Sequence, residues 1–371
     1  MVQYTDTAKI TTTYNNNRLK LKRINRIRYG KSMINEVKYF MSCGEDRNIY
    51  LWKHFSDNDM DRLNSINDNK NINSFSLSSS LDINDDDDNF RCIKPLKIFS
   101  GYHGYEILDI DICNDNTNSI FASCGIDKSI FIWDVKNSIV IRELKSIENF
   151  KTNSISFLDS NVSSAASNGS NIIASGSDDK LVKLWDLRNR SAYQPIQILD
   201  DATDSITHVI IAGDLIIASS ADGRIRQYDV RKGTLSIDHI SNQPVSFISI
   251  SNDRKKILAS TLGDPNIDIS SANSQAVLNL IDINSGKILK SFMGHENNYF
   301  KVGNCFDNTD ENIITGSEDG SLFIFDAKTC HLKQKIQYLS PEKLSISDVS
   351  FHPTKQCLIT SAHDGICRVL A

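Results

Sequence analysis

His103, Ser123 and Asp127 are the side chains best suited to chemistry in this sequence. A hydroxyl, an imidazole and a carboxylate are the parts of a nucleophilic hydrolase. Their context argues against that use. The chain has no G-x-S-x-G elbow, no H-E-x-x-H and no phosphate-cradling glycine loop. The same residue types also recur in partial form, as Ser175 and Asp179 with Trp185, and as His295 with Thr315 and Asp319. A nucleophile is needed once, whereas a fastening device can be repeated. With Trp133 the first three residues form a possible hydrogen-bonded chain: the indole only donates, the hydroxyl does both, and the carboxylate accepts. Removing one member would strand a neighbour at a cost of about 1–3 kcal/mol. In the copy around His295, Phe325 replaces the tryptophan and cannot donate; the copy around Ser175 lacks an evident histidine. These residues therefore read as a structural tetrad, and the chain as a non-enzyme that needs no cofactor or metal.

The elements that carry the tetrad recur as well. Asp followed six residues later by a large apolar residue appears in "SCGEDRNIYLW", "SCGIDKSIFIWD", "SGSDDKLVKLWD", "SSADGRIRQYD", "TGSEDGSLFIFD" and "TSAHDGICRVL". A further strand, "AVLNLID", lacks the turn aspartate. The seven units end at positions 52, 133, 185, 228, 281, 325 and 370, and the steps without a polar insert are 43, 44 and 45 residues. That is the period of WD40 repeats, about 40–45 residues. Each unit reads as four short strands; the third gives "SISFL", "IIASG", "LVKLWD" and "PIQIL". One such sheet exposes both faces, and radial stacking buries them. The fold expected is all-β, a single seven-bladed WD40 β-propeller over 18–371, preceded by a disordered N-terminus at 1–17. Because the last strand ends the chain, the segment "RLKLKRI" (18–24) is expected to pair into the seventh blade and close the ring.

Composition sets limits on what the ring can do. Hydrophobic residues make up 40% and charged residues 23%, with a formal net charge of -5. This gives no case for bulk attraction to nucleic acid. No apolar run is long enough for a membrane span, and the N-terminus lacks the stretch of a secretory signal. Eight cysteines occur without a C-x-x-C pair, and Cys43 and Cys124 share one repeat position. That pattern suits small core residues in a reducing compartment. Polar inserts at 54–94, 160–171 and 263–276 are too rich in Asn, Ser and Asp to bury a core and are expected to be disordered. The acidic run Asp85–Asp88 reads as solvated chain. The third insert replaces the tight turn between the second and third strands of blade five, on the face that carries His103 and His295.

On that face Tyr102, Tyr105, Glu106, Asp204, Tyr299 and Lys301 are the candidates for contact with a partner, since aromatic and charged rim residues suit protein recognition. The basic residues Lys20, Lys22, Arg23, Arg26, Arg28 and Lys31 read as the polar side of the closing strand.

Several segments are more specific than the repeat. "SGYHGYEILDI", "QPIQILDDATDSITHVIIAGDLIIASSADGRIRQYDVRKG", "GHENNYFKV" and "FHPTKQCLIT" resemble the mitogen-activated protein kinase organizer family of WD-repeat proteins, from about residue 18 to 370. The resemblance implies a non-enzymatic scaffold that assembles kinase-cascade components, associates with the spliceosome in pre-mRNA splicing, and is both cytoplasmic and nuclear. Its partners would be proteins, with no direct RNA readout, and it would act as a monomer within a larger complex. The competing class is a WD40 substrate receptor of a ubiquitin ligase complex, which normally needs an appended adaptor-binding segment.

Overall fold

The repeated aspartate builds the hairpin between the second and third strands of every unit but the fifth. In the computed structural model, Asp46, Asp179, Asp222, Asp319 and Asp364 each accept the backbone N–H two residues on, at 2.9–3.1 Å. The residue directly after the turn aspartate is left-handed in six units: Arg47, Lys128, Lys180, Gly223, Gly320 and Gly365, with φ of 66–78°. A side-chain-capped turn followed by one left-handed residue reverses the chain within very few residues.

The structure describes residues 10–11, 22–30, 39–53, 91–92, 95–113, 119–145, 150–158, 171–188, 194–264, 275–337 and 345–370. Among them every regular element is a strand. The strands form seven antiparallel blades, four-stranded in the first six and three-stranded in the seventh. Their innermost strands are Ile24–Tyr29, Ile107–Ile112, Thr152–Phe157, Ile206–Ala212, Val245–Ile250, Asn304–Phe306 and Ile346–Phe351. Each inner strand touches the next, and the seventh returns to the first. The chain is therefore a seven-bladed β-propeller.

Blade-to-blade packing forms the core. Met41, Cys43 and Leu51 of blade one pack on Phe121 and Trp133 of blade two. Cys124 and Ile132 of blade two pack on Phe157 and Trp185 of blade three. Closure uses the same contact: Ile27, Phe40 and Trp52 of blade one pack on Ile359, Cys367 and Val369 of blade seven. Cys43 and Cys124 are fully buried, which pushes both thiols well above the usual range and leaves them inert.

The expected closing segment, 18–24, lies mostly outside the described residues. Residues 18–21 lie outside the described residues, Lys22 and Arg23 form no strand, and Ile24 already opens the inner strand of blade one. Of residues 1–17 only Ile10–Thr11 are described. They form a short strand parallel to Arg91–Cys92, in the first insert, and lie beside Cys367–Leu370 of blade seven. The remainder of the 54–94 insert up to Lys94, the 160–170 part of the second and 265–274 of the third lie outside the described residues. In chain order the three inserts come between the third and fourth strands of blade one, the first and second of blade three, and the second and third of blade five.

Candidate functional site

The tetrad of blade two is complete in space. Trp133 Nε1 donates to Ser123 Oγ at 2.8 Å, Ser123 lies 2.7 Å from His103 Nε2, and His103 Nδ1 lies 2.6 Å from Asp127. Ser123 is wholly buried and already engaged on both sides, so no substrate carbonyl can reach it. Gly104 N–H also donates to Asp127, which ties down the loop that brings His103 in. Exposed Tyr102 lies across Trp133, with ring centroids 5.2 Å apart. In blade three, Trp185 donates to Ser175 at 2.9 Å, but Asp179 pairs with Lys183 in place of a histidine.

Blade six departs from the expected tetrad. His295 is buried, yet among the described residues neither ring nitrogen has a hydrogen-bond partner, and burial pushes its pKa down to about 4. Asp319 pairs outward with Lys335 at 2.8 Å, and the Thr315 hydroxyl donates to the Gly316 carbonyl. Without a tryptophan, no donor holds Thr315 in line to bridge the two.

The inner-strand residues that join neighbouring blades around the central channel were not among the sequence candidates. Register shifts near the start of six inner strands displace one residue in each, such as Asn25, Asn153 and Thr207. These side chains then donate to the neighbouring blade. Asn25 reaches Ile107 O at 2.7 Å, Asn153 reaches Ile206 O at 2.8 Å and Thr207 reaches Val245 O at 2.6 Å. Ser347 donates to Ile24 O, joining blade seven to blade one. One residue further on, Arg26, Asp109, Ser154, His208, Phe247 and Asp348 occupy equivalent positions, as their strand pairings show.

Arg26 crosses the axis of this layer. It makes ion pairs with Asp109 at 2.7 Å and Asp348 at 3.1 Å, donates to His208 Nε2 at 2.9 Å, and lies 4.5 Å from the Phe247 ring centre. The two carboxylates also accept backbone N–H groups, Asp348 from Ile27 and Asp109 from Ile155. Burial outweighs the pull of Arg26 and pushes the Asp348 carboxyl up to about 6. In blade six the inner strand brings Gly303 against Asp348, where an added Cβ would fall 1.9 Å from Oδ1. Arg26 is thus an internal cross-brace, not part of the polar side of a closing strand. Lys20 and Lys31 lie outside the described residues.

The Arg26 layer divides the channel into two funnels. The lower, about 320 Å³, is lined by Arg28, Asp111 and Ser350 among others. The upper, about 300 Å³, opens on the face with the His103 loop. Of the six rim candidates, Glu106, Tyr299 and Lys301 line this funnel. Tyr102, Tyr105 and Asp204 stand outside it and are exposed, Tyr105 at 62%. Glu106 is held by Arg23 and by Asn25 Nδ2 at 2.8 Å. Tyr299 projects furthest, at 70% exposure, while its loop is fixed by three backbone N–H groups donating to Glu318. Lys301 is not a rim residue. It reaches across the funnel floor to the carbonyl oxygens of Thr207 at 3.0 Å and Asn153 at 3.3 Å. Burial, the largest influence, pushes its amine down to about 8.

A rigid ring with fastened blades, an occluded tetrad and an open mouth is an interaction module. The family model "WD domain, G-beta repeat" matches residues 93–134, 151–186, 286–326 and 333–369. A Dictyostelium discoideum protein, "WD repeat domain-containing protein 83 homolog", is 34% identical over 295 residues, covering 72% of this chain and 82% of that protein. An uncharacterized WD repeat-containing protein of Schizosaccharomyces pombe is 38% identical over 47% of this chain and 54% of its own length. WD repeat domain-containing protein 83 of Rattus norvegicus is 31% identical over 47% of this chain and 50% of its own. The chain belongs to the WD-repeat family, in the group of WD repeat domain-containing protein 83.

Proposed function

We propose that this propeller is a non-enzymatic scaffold that gathers kinase-cascade components and associates with the spliceosome through protein contacts, in both cytoplasm and nucleus. The observation that carries the scaffold reading is the upper mouth. Exposed Tyr105 and Tyr299 stand beside a funnel on a face whose loops are fixed by backbone N–H groups donating to Asp127 and Glu318. Aromatic side chains on a rigid platform supply binding area at little conformational cost. The kinase and splicing roles rest on the resemblance of the segments around "GYHGYEILDI" and "DGRIRQYDVRKG" to kinase organizers. The net-acidic chain supports recognition through proteins over direct contact with RNA.

Affinity purification of the tagged chain with mass spectrometry tests this. Kinases and splicing factors should both be recovered, and Tyr105→Ala with Tyr299→Ala should reduce their recovery at least about tenfold while the melting temperature holds. Recovery of splicing factors alone would remove the signalling role, and recovery of kinases alone the splicing role. Undiminished recovery with the double variant would place the binding face elsewhere.

A further inference from the structure

Every cation lining the upper funnel except one has a carboxylate partner. Arg23 pairs with Glu106, Arg26 with Asp109 and Asp348, and Lys151 with Asp178 at 3.3 Å. Lys301 forms no salt bridge among the described residues; its Nζ donates to the carbonyl oxygens of Asn153 and Thr207 and lies 5.6 Å from the Phe247 ring centre. An ammonium group has three N–H donors, so one remains for a ligand. The Arg26 layer holds one carboxylate more than Arg26 balances, but both acids there face Arg26 and the N–H groups of Ile27 and Ile155. Neither comes within ion-pair distance of Lys301.

We propose that the funnel admits the carboxylate of one Asp or Glu side chain from an extended segment of a protein partner, with Lys301 as its counter-ion. This rests on the mouth being the partner face and names the chemistry recognised there. The funnel volume of about 300 Å³ admits a side chain or two and no folded element. Asp109 and Asp348 favour the charged amine from beyond ion-pair distance, so what Lys301 offers is one remaining donor. A single carboxylate oxygen can fill it, whereas a phosphoryl dianion would bring more negative charge than one ammonium offsets into a partly dehydrated site. Tyr299 and Phe300 at the lip, 70% and 38% exposed, give the flanking residues an aromatic surface to lie on.

The test uses pools of end-blocked decapeptides with randomised flanks and a fixed central Glu, Gln or phosphoserine, titrated against the whole chain by fluorescence anisotropy. The Glu pool should bind at least about tenfold more tightly than the Gln pool, the size of one charge-assisted hydrogen bond. Lys301→Met should abolish that preference, and Lys301→Arg should keep most of it, with circular dichroism showing that both variants fold. Equal binding of the Glu and Gln pools, a preference surviving in Lys301→Met, tightest binding by the phosphoserine pool, or no binding by any pool would each overturn the proposal. Cellular recovery separates it from the scaffold reading. If Tyr105→Ala with Tyr299→Ala loses partners and Lys301→Met does not, the face stands and the carboxylate site falls.

Discussion

The residue four positions after each turn aspartate decides how that aspartate is satisfied. Tyr50, Lys183, Arg226 and Arg368 occupy this position in blades one, three, four and seven, and each bonds the aspartate of its own hairpin. In blades two and six the position holds Phe131 or Phe323, and those are the units with an upstream histidine, His103 or His295. The ring of His103 packs edge-on against Phe131 at 4.7 Å, so the apolar choice makes room for the imidazole. This alternation is visible in the sequence once the repeats are aligned on the aspartate, although reading the histidines alone overlooks it. It also ranks the hydroxyls. Ser123→Ala strands two buried groups, the Trp133 indole and His103 Nε2, while Ser175→Ala strands the Trp185 indole and gives up only a long bond, 3.4 Å, to the strand-paired Lys183 carbonyl. At about 1–3 kcal/mol per stranded group, Ser123→Ala should cost roughly twice as much. Urea unfolding of the two variants measures this, and equal losses would show that His103 contributes nothing through Ser123.

At the scale of the strand, the third strands were legible because the turn aspartate and the alternation that follows it are local signals. The inner strands and their cross-brace were not. "RLKLKRI" and the "INRIRY" that overlaps it both alternate apolar and basic residues, interrupted only at Lys22-Arg23 and Asn25-Arg26. A period of two does not say to which blade a strand belongs. For the same reason Arg26 reads as a solvent-facing position, although its partner Asp348 is 322 residues away in the chain. Aligning "NRI", "LDI", "THV", "SFI" and "SDV" by repeat would have put opposite charges in one column, the signal that was missed. The brace carries a clear expectation. Arg26→Met leaves Asp109 and Asp348 buried without their cation, a loss of about 3–5 kcal/mol. Hydrogen exchange should then open first in Ile24–Tyr29 and Ile346–Phe351, the two strands that Arg26 joins across the closure. The deficit should shrink at pH 5, where Asp348 can take up a proton. A loss below about 1 kcal/mol would mean that the two acids find other relief.

At the scale of the whole ring, buried ionisable groups set how stability changes with pH. His208, His295 and His363 are kept neutral. Burial is the largest cause for each, assisted at His208 by Lys301 and Arg26 and at His363 by Arg23. Their folded pKa values lie below the ordinary imidazole value of 6.5, with His295 and His363 at about 4. The stability linked to these groups is therefore complete above pH 6.5 and is lost as pH falls toward 4. Asp348 runs the other way. Its folded pKa of about 6 exceeds the ordinary carboxyl value of 3.8, so its contribution is present below 3.8 and is lost as pH rises through 6. Between pH 6.5 and 4, unfolding binds protons at three imidazoles and releases one from Asp348. Net uptake by the unfolded chain means that acid destabilises the ring. The exposed carboxylates with lowered pKa, such as Asp326, add to this only at lower pH, near the value at which they titrate unfolded. The urea midpoint should accordingly be lower at pH 5 than at pH 7, and His295→Gln should narrow the gap by removing one of the three imidazoles. A midpoint unchanged or higher at pH 5 would show that Asp348 and the Arg26 layer, not the buried histidines, dominate proton linkage in the closed ring.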